Sequence, residues 1–236
     1  MHRGPAWLGI GAQRSGTTWL TDLLVQHPDV GVGTNGKKEQ QALQRIARGR
    51  LDEGDYLAQF PDDGLRRGDF TPRYLNNASV PAVASRLLPD GAPIVVILRD
   101  PVERLASGLR RRVKYPRHAW PYEAALAYGQ WCGMYAPQLD LWAGVVGAER
   151  IRVYTYEAVR HDPAPACADI WGAVGLPPAP LTEVSAPSSS SAGEFVWEWP
   201  DGLQAAVTAL YRPQLDELAE RWGVRTDLWP NFAETS

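Results

Sequence analysis

The sequence predicts an α/β fold of three layers, with a mainly parallel central sheet and helices on both faces. Three observations carry this. Residues 94–98 (IVVIL) are apolar at every position, as in a strand covered on both faces. Residues 6–11 (AWLGIG) form a second short apolar run that leads through a glycine-containing turn into a helical pattern. Along the rest of the chain, short strands alternate with helices, the order that makes a parallel sheet.

The elements follow from N- to C-terminus. Residues 6–11 read as a buried strand. Trp19, Leu20, Leu23 and Leu24 recur at helical spacing from Thr17 to His27, and Pro28 stops that helix. Residues 30–36 are glycine-rich and end in Asn35-Gly36, a turn signal. Short helices are expected over 38–48 and 53–60, and a strand or loop over Arg66–Thr71. Residues 77–88 place Val80, Val83, Ala84 and Leu87 on one helical face. After the 94–98 strand, Asp100-Pro101-Val102-Glu103 starts a helix that runs to about Val113. Asp100 is its N-cap, Pro101 its first residue, and Glu103 is expected to close a capping box. Residues 121–146 hold two helices or one broken near Pro137. Residues 150–154 form a strand, 163–174 a helix and 201–222 a final amphipathic helix. Residues 176–199 contain LPPAPLTEVSAPSSSSAG, too poor in large apolar residues to build a core, and read as a flexible loop or lid.

With 236 residues, 44% hydrophobic and 22% charged, the chain suits one domain over 1–236 with a real core. A net charge of −3 argues against a dedicated nucleic-acid binder. No run approaches the length of a membrane span. The N-terminal apolar stretch is too short for a secretory leader. Cys132 and Cys167 make neither a disulfide framework nor a metal site. The expected location is therefore cytoplasmic. The oligomeric state is left open.

Two motifs carry chemistry. Gly11-Ala-Gln-Arg-Ser-Gly16-Thr17-Thr18 lies between a strand and a helix. Its Gly-x4-Gly spacing is that of a P-loop-like turn, in which backbone N–H groups converge on a phosphate. A nucleotide-triphosphate loop has Lys after the second glycine; here that position is Thr17, and the cation sits inside the loop at Arg14. The second motif is Leu98-Arg99-Asp100-Pro101-Val-Glu-Arg104-Leu-Ala-Ser107. Arg99 leaves the C-terminal end of a strand, where parallel sheets bind ligands. Arg99 and Ser107 can grip a second anion.

These residues resemble the sulfotransferases that use 3′-phosphoadenosine 5′-phosphosulfate (PAPS). Gln13–Trp19 (QRSGTTW) is similar to the family's 5′-phosphosulfate loop, and the Arg99–Ser107 block to its 3′-phosphate motif. Weaker echoes follow in order: His27-Pro28-Asp29-Val30, Lys38-Glu39, Asp69-Phe70-Thr71-Pro72-Arg73-Tyr74, the Tyr135/Leu139/Trp142 helix, Tyr156-Glu157 and Asp162-Pro163. The resemblance implies a PAPS-dependent transferase that needs no metal. It acts on a hydroxyl, or less readily an amine, of a small-molecule or sugar acceptor. Arg14, Ser15, Gly16, Thr17 and Thr18 would hold the 5′-phosphosulfate, and Arg99 and Ser107 the 3′-phosphate. Trp19 would border the adenine or pack in the core.

The resemblance also places Glu39 as the base, with Lys38 and Arg14 as the catalytic cations. None of the four histidines falls in the segment where phenol and steroid sulfotransferases carry theirs. Two departures stand out. Phe70 occupies the position of a family lysine, and Ser188–Trp199 lacks the family's basic loop. Outside the motifs, Arg110-Arg111-Arg112 with Lys114 is either a solvated helix end or a collar for an anion. Phe195–Trp199 is either lid or core strap. The rival readings are an ATP-dependent small-molecule kinase and a non-catalytic nucleotide binder on the same fold.

Overall fold

The computed structural model describes residues 4–114, 121–184 and 198–233. Five strands, β1 (Trp7–Gly11), β2 (Val30–Val32), β3 (Arg66–Phe70), β4 (Ile94–Leu98) and β5 (Ile151–Thr155), form one sheet in the order β2-β3-β1-β4-β5. Every pairing is parallel. The helices are α1 (Thr17–Leu24), α2 (Leu43–Ile46), α3 (Glu53–Leu57), α4 (Val80–Leu87), α5 (Pro101–Lys114), α6 (Tyr122–Trp131), α7 (Tyr135–Val146), α8 (Tyr156–His161), α9 (Ala164–Ala173), α10 (Leu203–Tyr211) and α11 (Leu215–Trp222).

The side chains of β4 divide the core. Ile94, Val96 and Leu98 point into a large cluster with residues of α4, α5, α7, α10 and α11. Val95 and Ile97 point the other way, into a cluster with Trp19, Leu20, Leu23 and Leu24 of α1 and Cys167, Ile170 and Trp171 of α9. This alternation is the strand period of two, and it makes the predicted three layers. At Gly9 the strands approach closely: a β-carbon there would fall 2.2 Å from the Phe70 ring, so glycine makes room for the aromatic side chain of β3. Among the described residues, no helix is long and apolar enough to cross a membrane. Cys132 and Cys167 are free and buried.

Several expectations shift. The first helix ends at Leu24, short of Pro28, and the Leu24 carbonyl accepts the Trp171 indole N–H at 3.1 Å. Val30–Val32, read as turn, is an edge strand on β3. Residues 38–48 form only the single turn α2. Residues 121–146 break at Cys132–Met134, and Pro137 sits inside the first turn of α7, where its missing N–H leaves no bond unmade. The final helix divides into α10 and α11 around a three-residue turn at Arg212–Gln214, because Pro213 removes a helical N–H.

Asp100 caps α5, accepting from Val102 N at 2.8 Å and Glu103 N at 3.3 Å. The capping box does not close. The Asp100 N–H donates to Glu157 Oε1 at 3.1 Å, and Glu103 instead pairs with Arg99 at 3.3 Å. Residues 176–184, the start of the expected loop, are held against the chain just after α1. Gln26 Oε1 accepts from Thr182 N at 2.8 Å and Gln26 Nε2 donates to Glu183 O at 2.8 Å.

Candidate active site

The site forms where β1, β3 and β4 end. The Gly11–Gly16 loop turns through two left-handed residues, Arg14 (φ 69°) and Gly16 (φ 82°), a geometry that bends successive N–H groups toward one point. Gly16 is the N-cap of α1 and gives it no side-chain cap, so the first-turn donors are left for an anion. A β-carbon on Gly16 would meet the Tyr156 ring at 2.7 Å. Ser15 is buried, and its N–H turns back to Ala12 O at 3.3 Å. Trp19 is a core residue, edge-on to Tyr156 with ring centroids 6.2 Å apart.

The second motif reaches the same place. Arg14 Nε donates to Ser107 Oγ at 3.1 Å. Arg99 lies over the Tyr156 ring, 5.2 Å from its centroid, and its carbonyl accepts the Tyr135 hydroxyl at 2.8 Å. The Arg14 guanidinium is held below its ordinary pKa, first by burial and then by the charges of Arg111, Arg99, Arg110 and Arg104. This crowd of cations suits an anion with charge at more than one place. Arg110 and Arg111, from α5, are among those charges.

Lys38 ties the remaining predicted residues to the loop. Its Nζ donates to Thr17 Oγ1 at 3.1 Å and Thr18 Oγ1 at 3.0 Å, and lies 3.6 Å from Glu39 Oε1. Burial pushes the Lys38 ammonium below its ordinary pKa, with Glu39, Asp22 and Asp69 opposing. The same ammonium sits 5.3 Å from the centroid of the Phe70 ring, so the family lysine lost at that position is replaced by an aromatic face under a different lysine. Glu39 is partly exposed beside it.

Other contacts at the site join named residues to partners that carried no local signal: Trp229, Asn231 and Tyr128. Glu157 Oε2 accepts the Trp229 indole at 3.1 Å, and Asp100 Oδ2 accepts Asn231 N and Nδ2, each at 2.9 Å. These bonds tie the C-terminal segment to the first turn of α8 and to the start of α5, across more than 70 residues. Burial raises the Glu157 pKa, with the Asp100 N–H opposing. Gln13 Nε2 donates to the Tyr128 hydroxyl at 3.0 Å, joining the loop to α6.

Arg212 lines a cavity of about 700 Å³ with Trp199, Asp201, Gln204, Thr208 and Asn231, and none of these is a residue of the two motifs. Trp199 packs on the main core. His118, Ser188–Ser191, Phe195 and Trp197 lie outside the described residues, as does the side chain of Lys114. No group of three or more metal-ligating side chains occurs among the described residues.

Comparison with known proteins places these features in a family. A sulfotransferase domain model matches residues 6–189. The chain is 23% identical over 197 residues to the mouse bifunctional heparan sulfate N-deacetylase/N-sulfotransferase 4, covering 74% of this chain and 22% of that protein. It is 32% identical over 111 residues to the human bifunctional heparan sulfate N-deacetylase/N-sulfotransferase 3, covering 44% of this chain and 13% of that protein. The chain thus spans less than a quarter of the length of these relatives. Among solved structures, a sulfotransferase from Alicyclobacillus acidocaldarius superposes with a TM-score of 0.74 at 24% identity, covering 95% of this chain and 98% of that one. The sulfotransferase domain of the Synechococcus PCC 7002 olefin synthase gives 0.60 at 17% identity, over 90% of this chain and 95% of that one. These two likenesses concern the fold.

Proposed function

The chain belongs to the sulfotransferase family, and we propose that it transfers a sulfuryl group from PAPS to a hydroxyl of a sugar or small molecule. One observation carries this reading: Arg14 of the glycine loop and Ser107 of the second motif are in hydrogen-bond contact, so one ligand with phosphates at two places can be held by both. PAPS supplies the activated sulfuryl group. The open N-terminus of α1 and the hydroxyls of Thr17 and Thr18 bind its 5′ end, and Arg99 and Ser107 its 3′-phosphate.

The protein's own groups do the rest. Glu39 takes the acceptor's proton as the acceptor oxygen bonds to sulfur. Arg14 and Lys38 neutralise the charge left on the departing phosphate oxygen as the sulfur–oxygen bond to it breaks. The products are the sulfated acceptor and adenosine 3′,5′-bisphosphate. Arginine always carries its charge, so Arg14 stabilises the leaving group without giving it a proton.

An amine acceptor is the second reading. It is favoured by the likeness to the heparan sulfate N-deacetylase/N-sulfotransferases. The test is transfer of labelled sulfur from PAPS to a panel of sugars, amino sugars and phenols in EDTA, beside phosphate transfer from ATP with Mg²⁺. Sulfuryl transfer in EDTA is the expected result. Phosphate transfer alone would make the chain a kinase, and bisphosphate binding without any turnover would make it a binder.

A further inference from the structure

We propose that Asp69 is the positioning residue for Glu39: one buried carboxylate organises the backbone that presents the base. The inference rests on the sulfotransferase reading and on Glu39 as its base. Asp69 is fully buried at the end of β3, so it cannot itself meet an acceptor. Its Oδ1 accepts Gln40 N at 3.1 Å and the Thr71 hydroxyl at 2.7 Å. Its Oδ2 accepts the Tyr74 hydroxyl at 2.8 Å and the Tyr56 hydroxyl at 3.3 Å.

Two of these hydroxyls pass the order on. Thr71 Oγ1 accepts Gln41 N at 3.1 Å, and the Tyr74 hydroxyl oxygen accepts Ala42 N at 2.9 Å and Leu43 N at 3.2 Å. Four consecutive amides after Glu39 are therefore held by Asp69, directly or through one hydroxyl. On the other side of Glu39, the Lys38 carbonyl accepts Phe70 N at 2.9 Å. Glu39 is thus clamped on both sides by the end of β3. Gln41 adopts φ 51° within this segment, a left-handed conformation that a non-glycine residue holds only when its surroundings impose it.

The charge of Asp69 matters to the clamp, because hydrogen bonds to an ionised acceptor are about twice as strong as neutral ones. The titratable groups facing it are Lys38 from the clamped segment, Tyr56 from α3 and Tyr74 from the turn after β3. Burial pushes the carboxyl up to about 6, against the four donors that favour its ionised form. Both phenols are held well above their ordinary pKa by burial and by Asp69, so they stay protonated and keep donating.

The test uses the full chain with adenosine 3′,5′-bisphosphate, comparing Asp69→Asn, Thr71→Val and Tyr74→Phe with the parent. Amide hydrogen exchange at residues 40–43 should quicken about tenfold or more in Asp69→Asn, while bisphosphate affinity stays within about fivefold. With the panel acceptor that turns over fastest, kcat should fall about 10- to 100-fold. Asp69→Asn should add nothing further to a Glu39→Gln chain, because both act through one group. If Asp69→Asn does not fold, Thr71→Val should quicken exchange at residue 41 and Tyr74→Phe at residues 42 and 43.

Unchanged exchange in every variant overturns the proposal. So does a kcat loss that multiplies with that of Glu39→Gln, the mark of an independent structural effect. Failure of the wider reading looks different: absent bisphosphate binding, or normal turnover in Glu39→Gln alone.

Discussion

Arg14 Nε and Ser107 Oγ stand 3.1 Å apart, although 93 residues separate them in the chain. One belongs to the turn after β1, the other to the second turn of α5. Because β1 and β4 are parallel neighbours in the sheet, both motifs emerge at the same end of it, and their separation in sequence vanishes. A ligand that engages the loop is within reach of Ser107.

Ligand choice follows from that meeting. Adenosine 3′,5′-bisphosphate should raise the melting temperature more than AMP or ATP at equal concentration, since binding to the native state stabilises it by mass action. Equal shifts for the bisphosphate and AMP would mean that no 3′-phosphate is read.

Arg99→Ala should weaken bisphosphate binding by about 1.5–3 kcal/mol, the range for a charged hydrogen bond, and Ser107→Ala by about 0.5–1.5 kcal/mol. Neither should alter AMP binding much. Calorimetric titration with both nucleotides checks this. An equal loss for the two ligands would assign Arg99 to its contacts with Glu103 and Tyr156 instead.

Gly16→Ala should damage the loop through two causes. A left-handed residue with a β-carbon costs about 1–2 kcal/mol, and the added carbon meets the Tyr156 ring at 2.7 Å. The melting temperature should fall by about 4–10 °C, with bisphosphate affinity falling beside it. Gly172→Ala is the control. Nothing lies within 4 Å of a β-carbon there, and at the next-to-last position of α9 alanine should leave the melting temperature and bisphosphate affinity essentially unchanged.

Stability and activity should respond to pH in opposite senses at Asp69. Its folded carboxyl titrates at about 6, above the ordinary 3.8, so between these values the folded chain holds a proton that the unfolded chain has lost. Stability from this group is therefore present below about pH 4 and declines as pH rises to about 6, by up to about 3 kcal/mol. Urea unfolding of the parent and Asp69→Asn across that window should show the cost of the substitution shrinking as pH rises. A constant cost would mean that Asp69 titrates in the ordinary range. Turnover, by contrast, should need the ionised form and so rise over the same window.

Much of this architecture was legible in the residues. β4 and β1 announce themselves as apolar runs because both faces are covered. β3 was ambiguous because RRGDF is polar at its outer end, and β2 was missed because a three-residue edge strand containing glycine has no periodicity to read. At the site, the meeting of Arg14 and Ser107 was legible because motif spacing sets their local geometry, whereas Lys38 and Glu39 were singled out by the resemblance alone. The Asp69 hub was visible only as a weak echo, since nothing in DFTPRY says that four backbone amides 26 to 29 residues before Asp69 converge on it, directly or through Thr71 and Tyr74. The bonds from Trp229 to Glu157 and from Asn231 to Asp100 had no local signature, because they join distant segments through single side chains. The expected capping box failed for the same reason: Glu157, from the far side of β5, supplied the acceptor that Glu103 was expected to provide.

The most direct measurement is the rate of sulfur transfer from labelled PAPS by the parent chain and by Glu39→Gln, in EDTA, beside a bisphosphate titration of both. Glutamine keeps the shape of Glu39 but cannot take a proton. The account predicts transfer by the parent, a loss of about 10²–10⁴-fold in the variant, and bisphosphate affinities within a few-fold of one another. Near-normal transfer by Glu39→Gln, or a parent chain that binds the bisphosphate no better than AMP, would contradict it.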